Sequence, residues 1–175
     1  MLGEPGPAWI AGLSSSLQYR WFEFSVLVDT HHGGSVFSAT NLVGAYSGVL
    51  AETAVRPDSG LLISGLDFGT RTANTTHVST EDYYHALGAI GERWVYDASF
   101  VKLREARVSF SLPLKFITLL NAQSLRASLI ARNAAIWTKA PNIDPETALS
   151  ASPVRAEMGQ LPATKSLGFQ VTLTP

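Results

Sequence analysis

The sequence predicts an all-β chain of five antiparallel strands, and three observations carry that prediction. Five stretches alternate apolar and polar residues with a period of two, as a strand does when its two faces meet different media. Each regular stretch runs about 8 to 12 residues, the length at which a strand tilted by about 45° crosses a bilayer. The connections alternate short, long, short, long, so the long ones all fall at one end of the sheet.

The first strand, Ala8 to Tyr19, places Trp9, Ala11, Leu13, Leu17 and Tyr19 on one face and Gly12, Ser14, Ser16 and Gln18 on the other. Only Arg20 and Trp21 separate it from the second, Phe22 to Asp29, where Phe22, Phe24, Val26 and Val28 alternate with Glu23, Ser25 and Asp29. This reads as a two-residue hairpin without the Asn-Gly signal, with Tyr19 and Phe22 flanking the turn on one apolar face. The connection from about Thr30 to Asp97 is too long to be structureless. Two segments in it read as helix. "SATNLVGAYSGVLAETAVRP" has cap residues Ser38, Thr40 and Asn41 and a stop at Pro57; "STEDYYHAL" sets Ser79 and Thr80 before Glu81 and Asp82.

The third strand lies in "ASFVKLREARVSFSLP". It alternates Ala106, Val108, Phe110 and Leu112 with Glu105, Arg107, Ser109 and Ser111, and Pro113 ends it. Ahead of Glu105 the phase flips, Val101 and Leu103 being apolar and Lys102 and Arg104 charged; a bulge or a strand leaving its apolar medium explains this. After a short connection, about Pro113 to Gln123, the fourth strand sets Leu125, Ala127, Leu129 and Ala131 against Ser124, Arg126, Ser128 and Arg132, and blurs beyond. The long connection from about Lys139 to Lys165 leads to the fifth, where Leu167, Phe169, Val171 and Leu173 alternate with Gly168, Gln170, Thr172 and Thr174.

Composition narrows the function classes. A chain of 175 residues can bury a sizeable core. A net charge of -1 and a pI near 6.4 give no electrostatic case for nucleic acid. Charged residues make up 15%, against roughly 25% in soluble domains. Without cysteine there is neither a disulfide framework nor a thiolate metal site. "MLGEPGPAWIAGL" lacks the basic and apolar regions of a signal peptide, and no stretch approaches the roughly 18 apolar residues of a membrane helix.

The apolar faces fit two media, lipid or the core of a soluble, secreted β-sandwich that binds carbohydrate. The polar face favours lipid. It carries Glu105, Arg107, Arg126 and Arg132 in mid-strand, as a wet lumen allows, and Tyr19, Trp21 and Phe22 gather at one turn as an interfacial girdle does.

Several strings then point to a family. "LGEPGPAWIAGL", "FEFSVLVDTHHGGSVFSATN", "VYDASFVKLREARVSFSLP", "LIARNAAIWTKAPNIDPE" and "GQLPATKSLGFQVTLT" resemble, in order and spacing, signature segments of the SusC/RagA type of TonB-dependent outer-membrane transporter. Ala11 stands where the family has the first of two paired glycines. The resemblance implies the last five strands of a barrel of the plugged kind with about 22 strands, short helices in its long extracellular loops, and the plug and earlier strands absent. Met1 is then an internal start or a fragment boundary, and Pro175 stands where the family has a terminal aromatic, sharing the apolar face with Leu173. A non-functional gene remnant is a third reading. The implied function is import of an oligosaccharide or peptide nutrient across the outer membrane, with a SusD-like surface lipoprotein and, through the absent N-terminal region, TonB. No enzymatic activity and no cofactor are implied.

Each candidate site has a plainer reading beside it. Asp29, His31 and His32 suggest a metal, but adjacent strand residues point oppositely and no third ligand has a familiar spacing. "NIDPE" and "EDYYH" place carboxylates near aromatics and suggest glycosidase chemistry, but Asp144 and Glu146 flank Pro145 in a turn-like sequence, and a structural loop role is the plainer reading. Asn74-Thr75-Thr76 fits an N-glycosylation triplet, a pattern common by chance. Arg107, Arg126, Arg132 and Asn133 are lumen candidates for plug or ligand, with pairing of Arg107 and Arg126 to Glu105 as the alternative. Tyr46, Tyr83, Tyr84 and Trp94 on the outer loops are candidates for stacking on sugar, or for loop packing.

Overall fold

A computed structural model of the chain describes residues 3–113, 117, 122–148 and 155–174. Position 175, and most of the connection between the third and fourth predicted strands, lie outside the described residues.

The alternating stretches form one sheet. Its strands are β1 (Trp9–Tyr19), β2 (Phe22–His32), β7 (Phe100–Ser111), β8 (Ser124–Thr138) and β10 (Ser166–Thr174), in that spatial order and antiparallel throughout. Spatial neighbours are chain neighbours once the connections are removed, an up-and-down sheet. β2 runs three residues beyond the predicted Asp29, because His31 and His32 still pair with Ile10 and Trp9. At the hairpin, Tyr19 pairs with Phe22 and Arg20 takes φ 55°, so a non-glycine residue supplies the left-handed turn.

The phase flip is a bulge. Leu27 faces Glu105 while Val28 faces Leu103, so Arg104 has no partner on β2. On the other side Leu103 faces Ala135 and Glu105 faces Arg132, leaving Asn133 and Ala134 opposite Arg104. Asn133 adopts φ 48°, the left-handed conformation that asparagine tolerates better than most residues. The extra residue returns Val101 and Leu103 to the face of Ala106, Val108 and Phe110, and the blurring past Arg132 is the same bulge seen from β8.

Residues paired across an antiparallel sheet share a face, so the registers assign every side chain. One face carries the row Leu17, Phe24, Val108, Leu129, Phe169 and the row Tyr19, Phe22, Phe110, Ala127, Val171. The other carries Gln18, Glu23, Ser109, Ser128, Gln170 and, further along, Ser14, Leu27, Glu105, Arg132, Ser166. Burial is inverted relative to a soluble sheet. On the central strands Val108 and Leu129 are 47% and 51% exposed, while Ser109 and Ser128 behind them are 2% and 5%. Among the described residues no second sheet covers the apolar face, so they form no sandwich.

The two long connections fold together at one end of the sheet. β3 (Ser35–Ser38) from the first pairs antiparallel with β6 (Val95–Asp97) and parallel with β9 (Ala156–Glu157) from the second. Val36, Ala98, Ala140 and Ala148 make a small core, with Tyr96 and Ile143 packed on it. The predicted helices exist as α1 (Ala39–Tyr46) and α2 (Thr80–Gly88). Their N-caps are Ser38, whose hydroxyl accepts from Asn41 N–H at 3.0 Å, and Ser79, which accepts from Asp82 N–H at 3.0 Å. α1 stops at Gly48 (φ 70°), well before Pro57. Between the helices β4 (Leu61–Leu62) pairs with β5 (His77–Val78).

Candidate functional site

The charges decide which face meets which medium. None of the charged residues of the five long strands lies on the apolar face; Glu23, Asp29, Lys102, Glu105, Arg107, Arg126 and Arg132 all fall on the other by register. Arg104 in the bulge reaches the same side, its Nε and Nη2 donating to Asp29 Oδ1 and Oδ2 at 2.7 Å each. An Arg or Lys on a lipid face near the bilayer midplane costs about 2–4 kcal/mol, and large apolar side chains kept in water each forgo about 1.5–3 kcal/mol. Segregation this strict fits acyl chains outside and an aqueous lumen inside.

Aromatic residues bracket the apolar face at both ends. Tyr19, Trp21, Phe22 and Phe110 sit at the hairpin end, the last two rings 5.0 Å apart. Trp9, stacked on His32 at 5.2 Å, and Trp137 sit at the other end. The sequence reading found only Tyr19, Trp21 and Phe22. From Trp9 to Tyr19 the strand advances about 33 Å at about 3.3 Å per residue. At a tilt near 45° that becomes roughly 23 Å, close to the height of a lipid-facing band between two girdles.

On the lumenal face the predicted residues form a ladder. Arg126 Nη1 donates to Glu23 Oε2 at 3.1 Å, not to Glu105 as expected, because Glu105 lies on another rung. Glu105 instead accepts from Arg132 Nε at 2.9 Å and Arg107 Nη2 at 3.0 Å. Asn133 serves the bulge and donates through Nδ2 to Thr164 O at 3.1 Å. Ser109 and Ser128 Oγ are 2.9 Å apart between the rungs. Arg107 Nε is buried with no partner among the described residues.

Nearer the cap, the "NIDPE" carboxylates are bound rather than poised for chemistry. Lys102 Nζ donates to Asp144 Oδ2 at 2.6 Å and to Glu146, and Arg104 also grips Glu146. The Lys102 and Asp144 side chains are 3% and 5% exposed. The Arg104 hydrogen bonds, aided by Lys102, hold the Glu146 carboxyl down at about 2. These five charges tie the second long connection to the inside of the wall. His31 stacks on Phe100 at 4.5 Å and His32 on Trp9, on opposite faces, so they do not converge on one ion. Asn74 closes an Asx turn, accepting from Thr76 N–H at 3.0 Å and donating to Ile63 O at 2.9 Å.

The loop aromatics divide. Trp94 is fully buried and donates its indole N–H to Leu87 O at 3.1 Å, so it packs the cap. Tyr83 meets Tyr84 edge-on at 5.2 Å. Tyr46 lies parallel to His85, centroids 4.0 Å apart, and Tyr84 Oη donates to Glu52 O at 2.7 Å. Tyr46, Tyr84 and His85 line a cleft of about 340 Å³ between the end of α1 and the start of α2, with Arg56 and Glu81 in its wall. The sequence reading singled out Glu81 and His85 only within the string "EDYYH" and missed Arg56, since nothing local brings these residues to Tyr46.

An up-and-down sheet with an apolar outside, a charged inside and a folded cap at its long-loop end is a segment of a transmembrane β-barrel wall. Comparisons with known proteins agree. No family model matches the chain. Over 148 residues it is 25% identical to the TonB-dependent receptor P3 of Formosa agariphila. The RagAB peptide importer in its "open-open" state matches with a TM-score of 0.63 over 97% of this chain, at 16% identity. In its "closed-closed" state the TM-score is 0.64 over 96%, at 18% identity. The chain is thus similar in sequence to a TonB-dependent receptor and in fold to part of the RagAB importer, in line with the resemblance carried by the motifs. The chain spans 13% of the length of the curated relative and 17% of the solved chains.

Proposed function

We propose that this chain supplies the C-terminal wall strands and part of the outer cap of a TonB-dependent transporter in the outer membrane. The observation that carries this reading is the one-sided placement of strand charges opposite an uncovered apolar face. The whole transporter, a barrel of the type with about 22 strands, imports an oligosaccharide or peptide nutrient. It draws its energy from TonB on the periplasmic side and is lidded by a SusD-like surface lipoprotein. The Arg20–Trp21 turn faces the periplasm and the cap faces the exterior, as short turns and long loops do in such barrels. The lumenal ladder contacts the plug through its exposed guanidinium groups, Arg126 and Arg132. No enzymatic step is assigned to the chain in this reading, and Asp144 and Glu146 serve as ion-pair partners of Lys102 and Arg104.

Deleting the gene in its host, and TonB separately, tests this. The protein is expected in the outer-membrane fraction, and both deletions are expected to abolish uptake of the same oligosaccharide or peptide class. Recovery of the protein in the soluble fraction, or unchanged uptake after gene deletion, would contradict the reading.

A further inference from the structure

The cleft between α1 and α2 holds groups that neither wall nor cap uses. Arg56 is anchored by two donors, Nε to Thr53 O at 3.0 Å and Nη2 to Gly48 O at 2.8 Å, which leaves the third guanidinium nitrogen, Nη1, for another acceptor. Glu81 sits in the first turn of α2, where the capping hydrogen bonds belong to Ser79 and Asp82. No ion pair joins Glu81 and Arg56 among the described residues, though both line the same cleft. Tyr46 is backed by His85 on one face and still 51% exposed. A rigid aromatic platform thus stands beside a fixed donor and an uncommitted carboxylate, in a cleft at the small end of the range ligand pockets occupy.

We propose that this cleft is an outer carbohydrate subsite: a sugar ring lays its C–H face on Tyr46, with hydroxyls accepting from Arg56 and donating to Glu81. The assignment rests on the transporter reading and narrows its substrate to a glycan. A hydroxyl both donates and accepts, so neighbouring hydroxyls can satisfy a guanidinium and a carboxylate together, and a ring's C–H face suits an aromatic one. An extended peptide would instead seek an open strand edge, and this cleft is walled by two helices and a 3₁₀ turn.

The test uses the complete transporter extracted from outer membranes in detergent. Its probes are a panel of defined neutral and uronate-containing oligosaccharides and, as a second arm, tri- to pentapeptides, read by calorimetry. An oligosaccharide is expected to bind, with Tyr46→Ala and Glu81→Gln each weakening it by about tenfold. Phe68→Ala, on the exposed β4–β5 excursion, is expected to leave binding unchanged. Glu81→Gln removes only an exposed charge, so it stays informative if Tyr46→Ala fails to fold. Oligosaccharide binding that ignores both cleft variants overturns the subsite and leaves the transporter standing, as does peptide binding that is sensitive to them. Absence of any oligosaccharide binding overturns it too, whereas recovery of the protein outside the outer membrane overturns the transporter reading itself.

Discussion

The ammonium of Lys102 is surrounded by the Asp144 and Glu146 carboxylates, and water reaches almost none of its side chain. Taking one partner from a buried pair leaves an uncompensated charge, at a cost of about 3–5 kcal/mol. Lys102→Met is therefore expected to release the 142–148 segment, seen as faster hydrogen exchange of its amides. Arg132→Gln, which removes one side of a pair whose arginine is 58% exposed, is expected to cost under about 1 kcal/mol and to leave that exchange unchanged. The same cluster sets a pH dependence. Arg104 and Lys102 lower the Glu146 carboxyl from its ordinary 4.5 to about 2, so the folded form holds its charge where the unfolded form takes up a proton. The stabilisation is complete above pH 4.5 and disappears as pH falls through about 2, and the segment's hydrogen-exchange protection relative to the unfolded chain is expected to fall between pH 5 and 2.

At the scale of elements, the bulge and the α1 cap are the joints that position everything else. A β-branched residue at φ 48° is strained by about 1–2 kcal/mol, so Asn133→Val is expected to lower the detergent melting temperature while Asn133→Gly leaves it nearly unchanged. Ser38→Ala removes the α1 cap and a hydrogen bond to the buried Glu157 Oε2 at 2.9 Å, and a loss of about 1–3 kcal/mol in thermal unfolding is expected. The long strands were legible because each writes its environment locally, residue by residue, and Arg104 betrayed the bulge by breaking that rhythm. The serine caps were legible for the same reason. The β6–β3–β9 sheet was not, since β9 is two residues long and exists only because Phe37 and Ser38 meet Ala156 and Glu157 across the chain. The Lys102–Asp144 pair was hidden likewise by a sequence separation of 42. The end of α1 was misjudged because Pro57 is a louder signal than Gly48, although the glycine stops the helix first.

For the molecule as a whole, the five strands present β1 and β10 as edges whose residues are exposed on both faces. A sheet of this kind is stable where lipid lies on one side and the remaining wall closes the other, which is the central claim. Spin labels placed singly at residues 11 to 18 of β1 test it most directly; this chain adds no cysteine of its own, and any cysteine elsewhere in the complete protein is first replaced by serine. In the complete protein reconstituted into bilayers, labels at 11, 13, 15 and 17 should collide with dissolved oxygen and be shielded from a water-soluble nickel complex. Labels at 12, 14, 16 and 18 should show less oxygen contact and no lipid signature. Labels at the odd positions that are inaccessible to both reagents would place that face in a protein core, and the account of this chain as a membrane wall would be wrong.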